Sequence, residues 1–180
     1  PDADVLDYEP IANDPTYVLT VEVSDGMAQD TAYVVVTVLN INEKPTLKNA
    51  TFSIKEHGVP NDSVGELKSL TTDPDLKESF SYKIIGTSNE FSVGSDGKIT
   101  AKKELNYETK LTYSFKVEVS DRGNPSPVLR DTATIVVKVV DVNEAPTVGD
   151  QEFTILETVK GPASVGTVVG ASDKDILNDY

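Results

Sequence analysis

Four stretches of the chain alternate apolar and polar side chains on a two-residue period. They are 17–23 (YVLTVEV), 33–39 (YVVVTVL), 112–119 (TYSFKVEV) and 134–140 (TIVVKVV). A period of two sends successive side chains to opposite faces, so each stretch reads as a strand with one face against a core. Clusters of Gly, Asp, Asn and Pro separate the runs: SDGMAQD, GSDGK and SDRGNPSP. These residues favour turns for local hydrogen-bonding and backbone reasons. SDGK at 95–98 joins FSV to ITA and predicts a hairpin turn. No window sustains a helical period. Short strands with a turn every ~8–12 residues predict an all-β Greek-key sandwich of immunoglobulin-like shape. With no Cys and no Trp, it is not a true immunoglobulin domain.

The pattern also repeats. LDYE at 6–9 returns as LNYE at 105–108, and VEVSD at 21–25 returns at 117–121. NEKP at 42–45 returns as NEAP at 143–146, FSIKE at 52–56 as FTILE at 153–157, and TDPD at 72–75 as SDKD at 172–175. Five landmarks in one order, ~100 residues apart, describe a unit long enough to be a domain in itself. The expected organisation is the C-terminal part of a repeat at 1–43, a complete repeat at 44–144, and the N-terminal part of a further repeat at 145–180.

Charge narrows the choice of partner. Sixteen basic and 30 acidic residues give a net charge of −14. Nucleic acid and anionic membrane surfaces both need a basic face and are excluded as partners. The counterpart of so many carboxylates is a cation, above all a hard one such as calcium. The absence of Cys removes disulfides, thiolate metal sites and thiol nucleophiles. A metal can staple a secreted domain in their place.

The acids that recur sit where strands begin or stop. Glu56 follows the first apolar run of the whole repeat, Asp73 and Asp75 precede FSYKII, and Glu108 precedes LTYSFKV. Asp121 closes that run, and Asn143 and Glu144 close the last one. Turn chemistry accounts for Asp and Asn, but not for glutamate at 56, 108, 144 and 157. Calcium takes six to eight oxygens from carboxylates, amides and backbone carbonyls, and D-x-D at 73–75 supplies two carboxylates from one loop. The same acids without a cation would repel one another.

The order Glu, D-x-D, L-[DN]-Y-E, V-x-V-S-D, D-x-N-E-x-P resembles an extracellular cadherin repeat along the whole chain. The resemblance implies calcium at the junctions between successive repeats. The first junction would draw on Asp7, Glu9, Asn42, Glu43, Asp73, Asp75 and Asp121, with carbonyls of Ile41, Lys44 and Ser79. The second would draw on Glu56, Asn106, Glu108, Asn143, Glu144, Asp173 and Asp175, with carbonyls of Val142 and Ala145. The family's D-x-N-D-N linker reads N-I-N-E-K and D-V-N-E-A here. Glu43 and Glu144 therefore keep the charge on a longer arm, while Lys44 and Ala145 keep only a backbone oxygen. Asn40 stands for an Asp and is not expected to contact metal. Asn106 replaces the acid found at Asp7, which weakens the outermost ion of the second junction. The partial repeats are expected to leave the first junction without a Glu from its own front half, and the second without a counterpart of Asp121.

By this resemblance the chain is an extracellular, cell-surface adhesion or spacer module. Calcium would rigidify a stalk whose first partners are neighbouring repeats of the same protein. Beyond these, the resemblance points to a surface protein or to homophilic assembly. Two readings stand beside it. One is a calcium-stabilised carbohydrate-binding module, with tyrosines as stacking faces and a glycan as partner. The other is a filament in which the two partial repeats complement each other between chains, against a plain fragment of a longer protein. An enzyme is not expected. His57, the single histidine, reads as an ordinary loop residue, since its counterpart is Thr158.

Overall fold

The computed structural model describes residues 7–9, 14–75, 79–123, 125–157 and 161–175. Eleven strands run in chain order: β1 (Thr16–Ser24), β2 (Gln29–Thr37), β3 (Thr46–Leu47), β4 (Ala50–Lys55), β5 (Ser63–Glu66), β6 (Thr71–Thr72), β7 (Ser81–Ile85), β8 (Phe91–Val93), β9 (Lys98–Ala101), β10 (Thr112–Ser120) and β11 (Arg130–Val140). A 3₁₀ turn, Lys68–Leu70, leads into β6. The fold is all-β, as the two-residue period requires.

β3 to β11 build a sandwich. One sheet runs β4-β11-β10-β7, the other β5-β9-β8, and a short pair β3-β6 closes one edge. The chain crosses between the sheets after β7 and again after β9, which is the Greek-key connection. β4 lies parallel to β11 over six residue pairs, from Ile135 opposite Ala50 to Val140 opposite Lys55. The turn at 95–98 joins β8 to β9 as expected, with Gly97 at φ 87 and Gly94 N–H bonded to the Lys98 carbonyl at 2.9 Å.

Alternation becomes burial along β11, where Ala133, Ile135, Val137 and Val139 are buried and Lys138 is exposed. They meet Val117 and Val119 of β10, Leu67, Phe91 and Ile99 in one core. Phe91 packs edge-on against Tyr113 at 5.3 Å and stacks on Phe115 at 5.5 Å between ring centroids. β11 begins four residues before the predicted run, because Thr132 and Asp131 continue the ladder opposite Glu118 and Val119. Pairing with a long neighbour extends a strand through residues whose own pattern is polar.

The repetition is structural as well. Val21 pairs with Ala32 in β1–β2 just as Val117 pairs with Ala133 in β10–β11, and Leu19–Val34 matches Phe115–Ile135. The turn after β10 is five residues longer than the turn after β1, so landmarks before and after it recur at different spacings. A second echo is aromatic. A Cβ on Gly65 would run into the ring of Phe52, and one on Gly166 into the ring of Phe153. Each glycine is the floor on which the repeat's first phenylalanine lies.

Ile135→Ala should lower stability by about 2–5 kcal/mol through transfer and cavity terms. Gly65→Ala should cost about 1–3 kcal/mol by overpacking against Phe52. Lys138→Ala, on the opposite face of β11 from Ile135, should change stability by less than about 0.5 kcal/mol. Urea unfolding of the three variants measures the order.

Candidate metal centres

The first centre is assembled from three segments that the sandwich brings to one end. After β6 the chain turns tightly, and Asp75 N–H bonds Asp73 Oδ1 at 3.0 Å. This places Asp75 in a buried position facing the linker that precedes β3. There it accepts the Glu43 N–H at 2.7 Å on one oxygen and the Asn40 amide at 3.0 Å on the other. Asn42 is buried too, and its amide donates to Asp121 Oδ2 and to the Pro127 carbonyl, both at 3.0 Å. Asp121 Oδ1 in turn holds Gly123 N–H and Leu129 N–H at 2.8 and 2.9 Å. The longer turn after β10 thus forms a socket that orients Asn42. Glu9, Glu43 and Asp75 offer carboxylate oxygens within 4.8 Å of one another. Asp7 lies beside them, accepting the Glu9 N–H at 3.2 Å.

The second centre uses the same device. Asp175 N–H bonds Asp173 Oδ1 at 3.0 Å, and Asp175 Oδ2 accepts the Glu144 N–H at 3.0 Å. Asn143 donates to the Glu144 carbonyl at 2.8 Å, and Asn106 to Glu108 Oε2 at 3.1 Å. Glu56 sits at the end of β4 and is 3% exposed. Its two oxygens accept Tyr107 N–H at 2.7 Å and Val142 N–H at 2.8 Å. Each oxygen keeps a second lone pair for a cation. Glu56, Glu108, Asp141 and Glu144 bring oxygens within 4.8 Å of one another.

The chemistry of these oxygens decides what fits. Among the described residues, buried side-chain atoms without a hydrogen-bond partner include Glu9 Oε1, Asn40 Oδ1, Asn42 Oδ1 and Glu43 Oε2 at the first centre. At the second they include Glu108 Oε1, Glu144 Oε2 and Asp175 Oδ1. All are acceptors. Buried acceptors are normally paired, so a group of them in one place calls for a positive partner. An all-oxygen set of carboxylates and amides is the donor set of a hard divalent cation, and calcium fits it.

The electrostatics agree. Burial pushes the Glu9 carboxyl up, helped by Asp7, and pushes Glu43 up, helped by the charges of Asp75, Asp7 and Asp73. Asp175 is pushed up to about 6 by burial, by its hydrogen bond with Asp173 and by the charges of Asp173 and Glu144. Glu56 runs the other way. Burial opposes its charge, but the two backbone N–H groups, His57 and Asp141 outweigh burial and hold the carboxyl below the usual range.

Three residues stand where the sequence does not lead one to look. Asp141 joins the second cluster and Asn40 the first, one repeat apart at the head of each linker motif. Aligning position 40 with 141 places both at the head of the linker motif, Asn in one copy and Asp in the other. His57 is no ordinary loop residue: its ring nitrogens meet Glu104 at 2.7 Å and Glu144 at 2.6 Å. Those bonds outweigh partial burial and push its pKa up to about 9. Ser79 lines a hollow together with Lys68, Phe80, Tyr82 and Asp96. Ile41, Lys44, Val142 and Ala145 all lie in the two linkers, and the Lys44 side chain turns to Asp131 at 2.8 Å.

The cadherin domain model matches residues 50–140. Human Cadherin-12 is 30% identical over 161 residues, covering 81% of this chain and 20% of that protein. Cadherin-20 of Xenopus laevis is 30% identical over 174 residues, covering 86% and 22%. The chain thus spans about a fifth of the length of these relatives. Among solved structures, protocadherin gammaB7 EC3-6, described as a cis-dimer, superposes with a TM-score of 0.67 at 22% identity, over 95% of this chain and 44% of that one. Mouse Cadherin-23 EC22-24 gives 0.59 at 26% identity, over 76% and 45%. The family consists of adhesion modules rather than enzymes. Matched over the stretch that forms the sandwich, the chain belongs to the cadherin family.

Proposed function

We propose that the chain is a calcium-stiffened segment of an extracellular adhesion stalk, one whole repeat at 44–144 joined to parts of two others. The observation that carries this is the set of unpartnered buried oxygens, gathered at both linkers, with Glu9 and Glu43 at the first matched by Glu108 and Glu144 at the second. Asp7, Glu9, Asn40, Asn42, Glu43, Asp73 and Asp75 would hold calcium at the first linker, with Asp121 positioning Asn42. Glu56, Asn106, Glu108, Asp141, Asn143, Glu144, Asp173 and Asp175 would hold it at the second. The bound ion supplies the positive charge that the crowded carboxylates lack. Its binding stabilises whatever arrangement assembles its ligands, here one repeat against the next. The location fits the relatives' family, and among the described residues no helix is long and apolar enough to cross a membrane. Partners would be neighbouring repeats and a surface protein, homophilic pairing included. A carbohydrate reading has less support: Tyr82 is buried, Tyr107 and Tyr113 pack on the core, and the exposed Tyr17 and Tyr33 stand on opposite faces of the β1–β2 pair rather than on one platform.

Calorimetric titration should show calcium binding at ~10⁻⁴–10⁻³ M, the range of extracellular modules. Asp75→Asn should weaken the first centre about tenfold or more, ~1.4 kcal/mol. No heat at millimolar calcium would sink the reading. Small-angle scattering should give a longer, stiffer particle in calcium than in chelator; identical profiles would remove the rigidifying role.

The pH dependence has a definite sign. Asp175 is raised in the fold, so metal-free stability falls as pH climbs from 3.8 to about 6. Calcium favours the ionised carboxyl, so below about 6 its binding must expel a proton and weakens. His57 works over a higher window: its stabilisation is complete below 6.5 and gone above about 9. Calcium titrations at pH 5 and 7.5 in buffers of different ionisation heat should show proton release at the lower pH.

A further inference from the structure

We propose that His57, Glu56 and Glu144 form a site for a borderline divalent transition ion, of which Zn²⁺ is the type. His57 Nε2 lies 2.6 Å from Glu144 Oε1 and 3.5 Å from Glu56 Oε2, and one ligand atom from each residue falls within 4.8 Å of the others. Zinc bonds of ~2.0–2.2 Å to nitrogen and oxygen leave neighbouring ligand atoms a little over ~3 Å apart. The Glu56 distance already suits this, and Glu144 needs only a small outward rotation of its side chain. Its second oxygen is buried without a hydrogen-bond partner.

The other face of the imidazole supports the assignment. Nδ1 meets Glu104 Oε1 at 2.7 Å. A carboxylate on Nδ1 fixes the ring and keeps a proton there, so the ion takes the place of the proton that Nε2 shares with Glu144 in the metal-free chain, and that proton leaves to solvent. That is the carboxylate–histidine arrangement that backs metal-binding imidazoles. The backbone is fixed as well, with His57 N–H bonded to the Leu105 carbonyl and Glu56 N–H to that of Val140, both at 3.1 Å. The His57 side chain is 32% exposed, which leaves room for water in a fourth position. Imidazole with carboxylates selects zinc-like ions over calcium, which wants oxygen alone. His57 is the chain's single histidine, so this selectivity belongs to the second linker. The site shares Glu56 and Glu144 with the calcium reading, and does not need calcium in order to bind.

The test is calorimetry of the full metal-free chain with Zn²⁺, with Co²⁺ as a visible-absorption probe of nitrogen ligation. One equivalent of Zn²⁺ should bind more tightly than calcium. His57→Ala and His57→Asn should weaken it at least a hundredfold and abolish the Co²⁺ bands. The asparagine variant suits the left-handed backbone at φ 56 and guards against a folding defect. Glu104→Gln, at a positioning residue, should weaken zinc about 10–100-fold and leave calcium unchanged. Zinc binding that survives both His57 variants, or no zinc binding at all, overturns the proposal. Absent calcium heat with His57-dependent zinc binding would discard the calcium reading and leave this one standing.

Discussion

Everything at the two linkers depends on carboxylates being held close together with some of their buried oxygens left without a donor. Each cluster is built by a few hydrogen bonds: Glu43 N–H and Glu144 N–H to carboxylate oxygens of Asp75 and Asp175, and two backbone amides to Glu56. These bonds take up one side of each acid and aim the other side at its neighbours. A pair of unit charges at ~4 Å still interacts by several kcal/mol at the dielectric of a protein surface. The fold tolerates this because the sandwich, whose core contains none of these acids, carries the stability.

This division of labour separates the packed unit from the linkers that carry its acids. The core strands position Glu56 and Asp121 from inside a packed unit, while Asn40 to Glu43 and Asp141 to Glu144 come from linkers with no strand partner of their own. Asn42 is the clearest link between the two. Its amide is anchored in the β10–β11 turn of the following repeat, so its position reports on how the linker meets that repeat.

Much of this was legible in the sequence because repetition cancels noise. The strands followed from alternation, and the ligand-bearing loops followed from acids kept in register across ~100 residues. What stayed hidden depends on three-dimensional closure. Asp141 read only as the head of the linker motif, and the approach of Glu56, Glu108 and Glu144 makes it part of a cluster. His57 has a non-acidic counterpart, and its role arises from Glu104, 47 residues away in sequence. The start of β11 was masked by polar residues that its long partner, β10, draws into the ladder.

The parallel alignment of β4 with β11 bears on mechanical load. β4 opens the main sheet, and β11 closes it. A pull on the two ends of the sandwich drags β4 toward one end and β11 toward the other. The two strands would then slide past each other lengthwise, and their six aligned pairs must give way together rather than peel apart one by one. An antiparallel closure at that position would put both loads at the same end and unzip. The order in which this chain returns to its own first strand therefore makes this sandwich a brace under tension.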